Sequence, residues 1–185
     1  MANENLGNYL SWEFAIWHSI SAVEEDATPQ STIIPPIGLN FIHLETITIN
    51  QTNVMQTIDL TNYGLKMHLP PDSSSEPMNI TIGVSLSGNF KSPKNTTLVS
   101  ALYYIKTSVD LLKPAILEIE HCAGADTDDK TLSFGKADTT TSSLPYFFEM
   151  LSNGSFNEHN SWGLIKMSRF SINGIFIESE NASID

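Results

Sequence analysis

His121 and Cys122 are neighbours in the chain, and an imidazole beside a thiol is the pair from which a thiolate nucleophile is assembled. The spacing argues against that chemistry. The two residues close an apolar run, Ala115-Ile116-Leu117-Glu118-Ile119, that reads as a β-strand. Successive side chains on a strand point to opposite faces, so the imidazole is badly placed to act as base for the thiol next to it. The pair reads instead as a strand end, with a small buried thiol beside a hydrogen-bonded imidazole. His18, His43, His68 and His159 are isolated and form no His-x-x-x-His pattern. Cys122 is the single cysteine, which excludes an intrachain disulfide and a paired-cysteine zinc site. Asp126, Asp128 and Asp129 resemble a calcium loop in their carboxylates alone, without its turn glycine and distant glutamate, and read as a solvated acidic hairpin. Residues 139–143 have the composition of a phosphate-accepting loop, as any exposed Ser/Thr loop does. These residues lead to the expectation of no metal, no cofactor and no enzyme.

The elements that must position them alternate with period two. Between Leu98 and Cys122, two apolar runs, 98–105 and 115–119, flank a polar elbow and the Lys113-Pro114 step, as two strands joined by a short connection. The cleanest alternation runs from Met78 to Leu86, where Met78, Ile80, Ile82, Val84 and Leu86 share one face and Asn79, Thr81, Gly83 and Ser85 the other. Further strands are expected at 41–49, 57–60, 65–69, 132–136, 146–151, 162–170 and 175–177. Asn153-Gly154 is the strongest two-residue hairpin signal, and Asn173-Gly174 offers a turn or bulge. This spacing predicts an all-β sandwich of about nine or ten short, mainly antiparallel strands. Residues 8–23 read as a short helix, with Leu10, Phe14 and Trp17 on one stripe and Trp12, Ile16 and Ile20 on a second. The acidic, proline-bearing stretch 24–36 reads as a linker. The expected organisation is an N-terminal segment and linker over 1–38, the sandwich over 39–178, and a polar tail over 179–185.

Composition narrows the function classes. Of the 185 residues, 41% are hydrophobic, enough for a proper core. Only 16% are charged, where about 25% is usual. Ser, Thr and Asn make up the difference, which favours strands and turns. The net charge of −12 argues against a nucleic-acid partner, which needs a basic surface. No apolar run approaches the ~20 residues of a membrane span, and no secretory signal is seen, so a cytoplasmic protein without membrane insertion is expected. Asn50, Asn79, Asn95, Asn153 and Asn181 begin glycosylation sequons, which an Asn- and Thr-rich chain forms by chance.

An ordered set of residues carries a family likeness: Tyr63-Gly64-Leu65, Leu69-Pro70, Ile80 to Gly88, Pro93, Leu98-Val99-Ser100, Lys113-Pro114, His121-Cys122, Gly154 with Phe156, Gly163 and Phe170-Ser171. The set resembles the ZU-five domain, a β-rich module shared by zonula-occludens scaffold proteins, uncoordinated-type netrin receptors, ankyrins and death-domain adaptors, and covers roughly residues 53–178. The resemblance implies a non-enzymatic protein-interaction or autoinhibitory docking module in a signalling or cytoskeletal-scaffold protein, with a neighbouring death domain or spectrin-like repeats as partners. Exposed aromatics would anchor such a partner, and the candidates are Tyr103, Tyr104, Trp162, Trp12 and Trp17. The alternative comes from the related function-to-find domain, whose His-Phe-Ser sequence cuts its own chain before the serine. Here the place reads Arg169-Phe170-Ser171, and an arginine takes up no proton at neutral pH to serve as base. Phe170 is then expected in the core with Ser171 facing out. A third reading is an extracellular adhesion sandwich with glycans on its sequons.

Overall fold

Met78, Ile80, Ile82 and Val84 form one fully buried face of the strand β4 (Met78–Gly88), as their alternation requires. A computed structural model of the chain describes residues 34–123, 131–140, 144–156 and 161–178, all within the unit Ile33–Asp185. The expected helix with Trp12 and Trp17, the linker up to residue 33, His18, His159, the acidic stretch 126–129, residues 141–143 and the tail from 179 lie outside the described residues.

Before β4 come β1 (Leu39–Ile49), β2 (Gln56–Leu60) and β3 (Leu65–Leu69). After it follow β5 (Phe90–Lys91), β6 (Thr96–Leu98), β7 (Leu102–Thr107), β8 (Ala115–Glu120) and β9 (Leu132–Ala137). The chain continues through β10 (Tyr146–Phe147), β11 (Glu149–Leu151), β12 (Gly154–Phe156), β13 (Trp162–Met167) and β14 (Ile172–Glu178). One sheet has the order β1-β4-β7-β14-β9-β11, with β6 also paired to β14, and the other has the order β12-β13-β8-β3-β2. Pairing in both is antiparallel; the short β10 and β5 form a parallel pair apart. The fold is the expected all-β sandwich.

Two cores explain the burial. Between the sheets, Leu65, Met67, Ile80, Ile82, Tyr103, Ile105, Leu117, Ile119, Phe134 and Ile175 pack together. On the far face of the first sheet, Leu102, Tyr104, Ile172 and Phe176 pack with Tyr146 and Phe148 from the segment that carries β10. Strand β7 is therefore buried on both faces, which is why Leu102 to Ile105 is a continuous apolar run with no alternation.

Several local signals resolve differently from expectation. The run 98–105 is not one strand: β6 and β7 pair in succession with the same side of β14, and residues 99–101 leave the ladder between them. Asn153-Gly154 is not a hairpin, because β11 and β12 belong to different sheets and the chain crosses between them there. Gly154 is required for close approach instead, since a Cβ at that position would lie 2.2 Å from Phe134 Cδ2. Asn173-Gly174 lies within the continuous strand β14, and β13 ends at Met167 because the chain then crosses to the other sheet. Gly64 does need its freedom: it closes the turn Thr61–Tyr63 at φ +73°, a left-handed position.

Candidate functional site

At one end of the sandwich the sheets part around an open cleft of about 640 Å³, a volume in the range of ligand and peptide sites. Failures of regular pairing open it. In the β1–β4 register Asn40 faces Ser87, Phe41 faces Ser85 and His43 faces Val84, so Leu86 on β4 and Ile42 on β1 are each an extra residue. Bulges re-aim side chains. Phe41 packs into the outer core while His43, two residues on, turns toward the second sheet and stacks on Tyr63 at 4.4 Å between ring centroids. The two extra residues are left facing solvent at the cleft, Ile42 55% and Leu86 66% exposed.

The opposite wall comes from the second sheet: Asn62, Tyr63 and Gly64 of the turn before β3, and Glu120, His121 and Cys122 at the end of β8. Residues 99–101 join the walls. Val99 N–H donates to Ile175 O of the first sheet at 2.9 Å, and Val99 O accepts from Cys122 N–H at 2.8 Å. The Ser100 hydroxyl accepts from Ile175 N–H at 2.8 Å and donates to Ala101 O at 2.7 Å. The floor is Tyr103, whose hydroxyl donates to Tyr63 O at 2.7 Å and Gly64 O at 2.9 Å. Burial, reinforced by the Glu120 carboxylate, pushes the Tyr103 hydroxyl well above its ordinary value, so it stays a proton donor.

The aromatic anchors fall elsewhere than expected. Tyr103 and Tyr104 are 1% and 2% exposed, one in each core, because β7 is covered on both sides; neither ring is a surface anchor. Trp162 is half-buried on the outer face of the second sheet, with Lys66 Nζ 5.0 Å from its ring centroid.

His121 and Cys122 follow the end of β8 and differ in exposure, with the thiol, expected buried, on the surface. His121 is inward, edge-on to Phe156 at 6.0 Å, and neither ring nitrogen has a hydrogen-bond partner among the described residues; Cys122 is exposed. Burial lowers the affinity of this imidazole for a proton, and the neighbouring Glu120 carboxylate opposes that only in part. Ser171 is not outward-facing. It is 4% exposed and its hydroxyl donates to Ala137 O, while Phe170 packs at the edge of the inter-sheet core.

One constellation escaped the reading of isolated histidines. On the outer face of the second sheet, Thr57 Oγ1 lies 2.9 Å from His68 Nδ1, and His68 Nε2 lies 2.8 Å from Glu118 Oε1. The order hydroxyl, imidazole, carboxylate is that of an activated nucleophile. It sits, however, on a solvent-facing sheet surface where Thr57 and His68 are simply cross-strand partners. The hairpin register about the turn Thr61–Tyr63 predicts that pairing; nothing local predicts Glu118. Among the described residues no group of three or more His, Cys, Asp or Glu side chains could hold a metal ion, and no helix is long and apolar enough to cross a membrane. No protein-family model and no curated protein matches this chain.

Proposed function

We propose that the sandwich is a non-enzymatic protein-interaction module, which docks a segment of a partner protein in the cleft at the end of the two sheets. One observation carries the reading: paired bulges place two large aliphatic side chains, Ile42 and Leu86, in solvent at the mouth of a largely apolar cleft. Leaving two aliphatic groups in water is unfavourable by about 25 cal/mol per Å² of apolar surface, and a partner segment seated there removes that surface from water. The resemblance to ZU-five domains supports the same class of role, in a signalling or scaffold protein with a death domain or spectrin-like repeats among its partners.

Selection of the full chain against a random peptide library tests this. Enriched peptides are expected to carry an apolar anchor and to lose binding to Leu86→Asp and Ile42→Asp. Peptides that bind both variants as they bind the parent chain would rule the cleft out.

A further inference from the structure

We infer that the segment docked in this cleft is a cationic amphipathic peptide, its apolar side chains on Ile42 and Leu86 and its ammonium or guanidinium group on the carboxylate of Glu120. This inference rests on the docking role proposed above and adds the chemistry of the partner. Three observations carry it. The first is the distribution of polarity across the cleft. One wall is the aliphatic pair from the bulges, and the other ends in Glu120, which is exposed and is the single charged residue among those that line the cleft. A ligand that is apolar on one side and positively charged on the other matches both walls; an anionic one meets Glu120 as a like charge.

The second is the absence of any described cation to neutralise that wall. Glu120 has no ion-pair partner among the described residues. Lys66, across the strand from Glu118, is drawn over the Trp162 ring on the outer face. His121, next to Glu120, is held in its uncharged form by burial and contributes no positive charge. Asn62 and Tyr63, the latter with one ring face already stacked by His43, add no charge of either sign to the cleft. The third is the field of the whole chain. A net charge of −12 repels acidic segments and draws basic ones toward the surface before contact is made.

Fluorescence anisotropy on the full chain separates the possibilities, with three pools of labelled short peptides that share a Leu/Ile/Phe anchor and differ in flanking residues: Lys/Arg, Ser/Thr or Glu/Asp. The expected order of affinity is cationic, then neutral, then anionic, with the cationic advantage shrinking as salt is raised. The ratio of cationic to neutral affinity is expected to fall by up to about fivefold in Glu120→Gln, the upper end for one exposed ion pair. A ratio that Glu120→Gln leaves unchanged, or an anionic pool that binds as well as the cationic one, overturns the inference. If the neutral pool still binds in a Leu86-dependent way, the docking role stands without it. Failure of all three pools to bind removes both.

Discussion

Replacing Tyr103 by Phe isolates the contact that ties the two sheets together beneath the cleft. The ring is fully buried in the inter-sheet core, so the substitution keeps its packing and removes only the hydroxyl. That hydroxyl donates to Tyr63 O at 2.7 Å and Gly64 O at 2.9 Å. Gly64 O keeps a second donor, Glu120 N–H at 2.9 Å, whereas Tyr63 O is left with none among the described residues. The lost hydrogen bond and the half-buried carbonyl left short of a donor together cost about 1–2 kcal/mol. In a chain of this size that lowers the thermal midpoint by about 2–8 °C. A second readout is alkaline. The folded Tyr103 holds its proton above the ordinary tyrosine value of about 10, chiefly through burial. The native state therefore binds the extra proton once the unfolded tyrosine has begun to lose its own. Its contribution to stability is complete below about pH 10 and is lost as pH rises above it. In Tyr103→Phe part of that alkaline fall disappears; Tyr104 and Tyr146, both raised by burial, retain the remainder. Urea titrations of the parent and variant chains at neutral and alkaline pH give both numbers. Equal midpoints at neutral pH, with superimposable alkaline profiles, would refute the role assigned to this hydroxyl.

Two further perturbations test other parts of the structure. The His121 ring is buried, with no partner for either ring nitrogen among the described residues, and its proton affinity is lowered by that burial, so between its folded value and the unfolded value of about 6.5 the unfolded state binds more protons. Stability is accordingly complete above about pH 6.5 and falls as the pH drops below it; His121→Phe should flatten that part of the profile, and equal slopes in the two proteins would exclude His121 as its source. Gly154→Val drives a Cβ toward Phe134, which stacks on Phe156 at 5.0 Å, and should destabilise by about 1–3 kcal/mol, whereas Val at the exposed neighbour Ser155 should be near neutral by urea midpoint. Equal midpoints for the two valine variants would show that steric approach is not why glycine stands there.

The fold was legible where one physical demand dominated. Residues 65–69 and the run from Met78 alternate because one face is the apolar inter-sheet core, whereas the other face of β4 carries the buried but small or polar Thr81, Gly83 and Ser85, and both strands form as expected. The signals that misled were those in which two demands use the same residue type. Glycine after asparagine serves a tight turn, but it also lets a ring press against the backbone, and Gly154 does the second. Tyr103 and Tyr104 stand in a continuous apolar run because β7 is covered on both faces, and that run, not the aromatic type of the two residues, was the signal of their burial. The cleft was the least legible feature. His121 and Cys122 drew notice as a catalytic pair because they are neighbours in the chain; that they form one wall of a cleft depends on long-range pairing of β8. Ile42 and Leu86 stand within ordinary alternating runs, and only the β1–β4 register makes them extra residues.

The cleft exists because pairing fails in three places at the same end of the sandwich: at Ile42, at Leu86 and at residues 99–101. Each failure would leave backbone groups short of partners, and the bonds that repair this are specific. Ser100 replaces a strand neighbour for Ile175 N–H, Val99 spans from β14 to the end of β8, and Tyr103 supplies a donor to the turn that carries Tyr63. Each wall keeps its own ladder, and the join between the walls is held by side chains and single bridging bonds. Such an arrangement fixes the backbone around the cleft while leaving its aliphatic side chains in solvent, and regular strand pairing cannot do both. Binding and stability at this end should for that reason be coupled. A segment that covers Ile42 and Leu86 raises the midpoint of the chain, and loss of the Tyr103 bonds, which frees the turn bearing Asn62 and Tyr63, weakens that segment's affinity while Trp162 and the outer face of the second sheet are untouched.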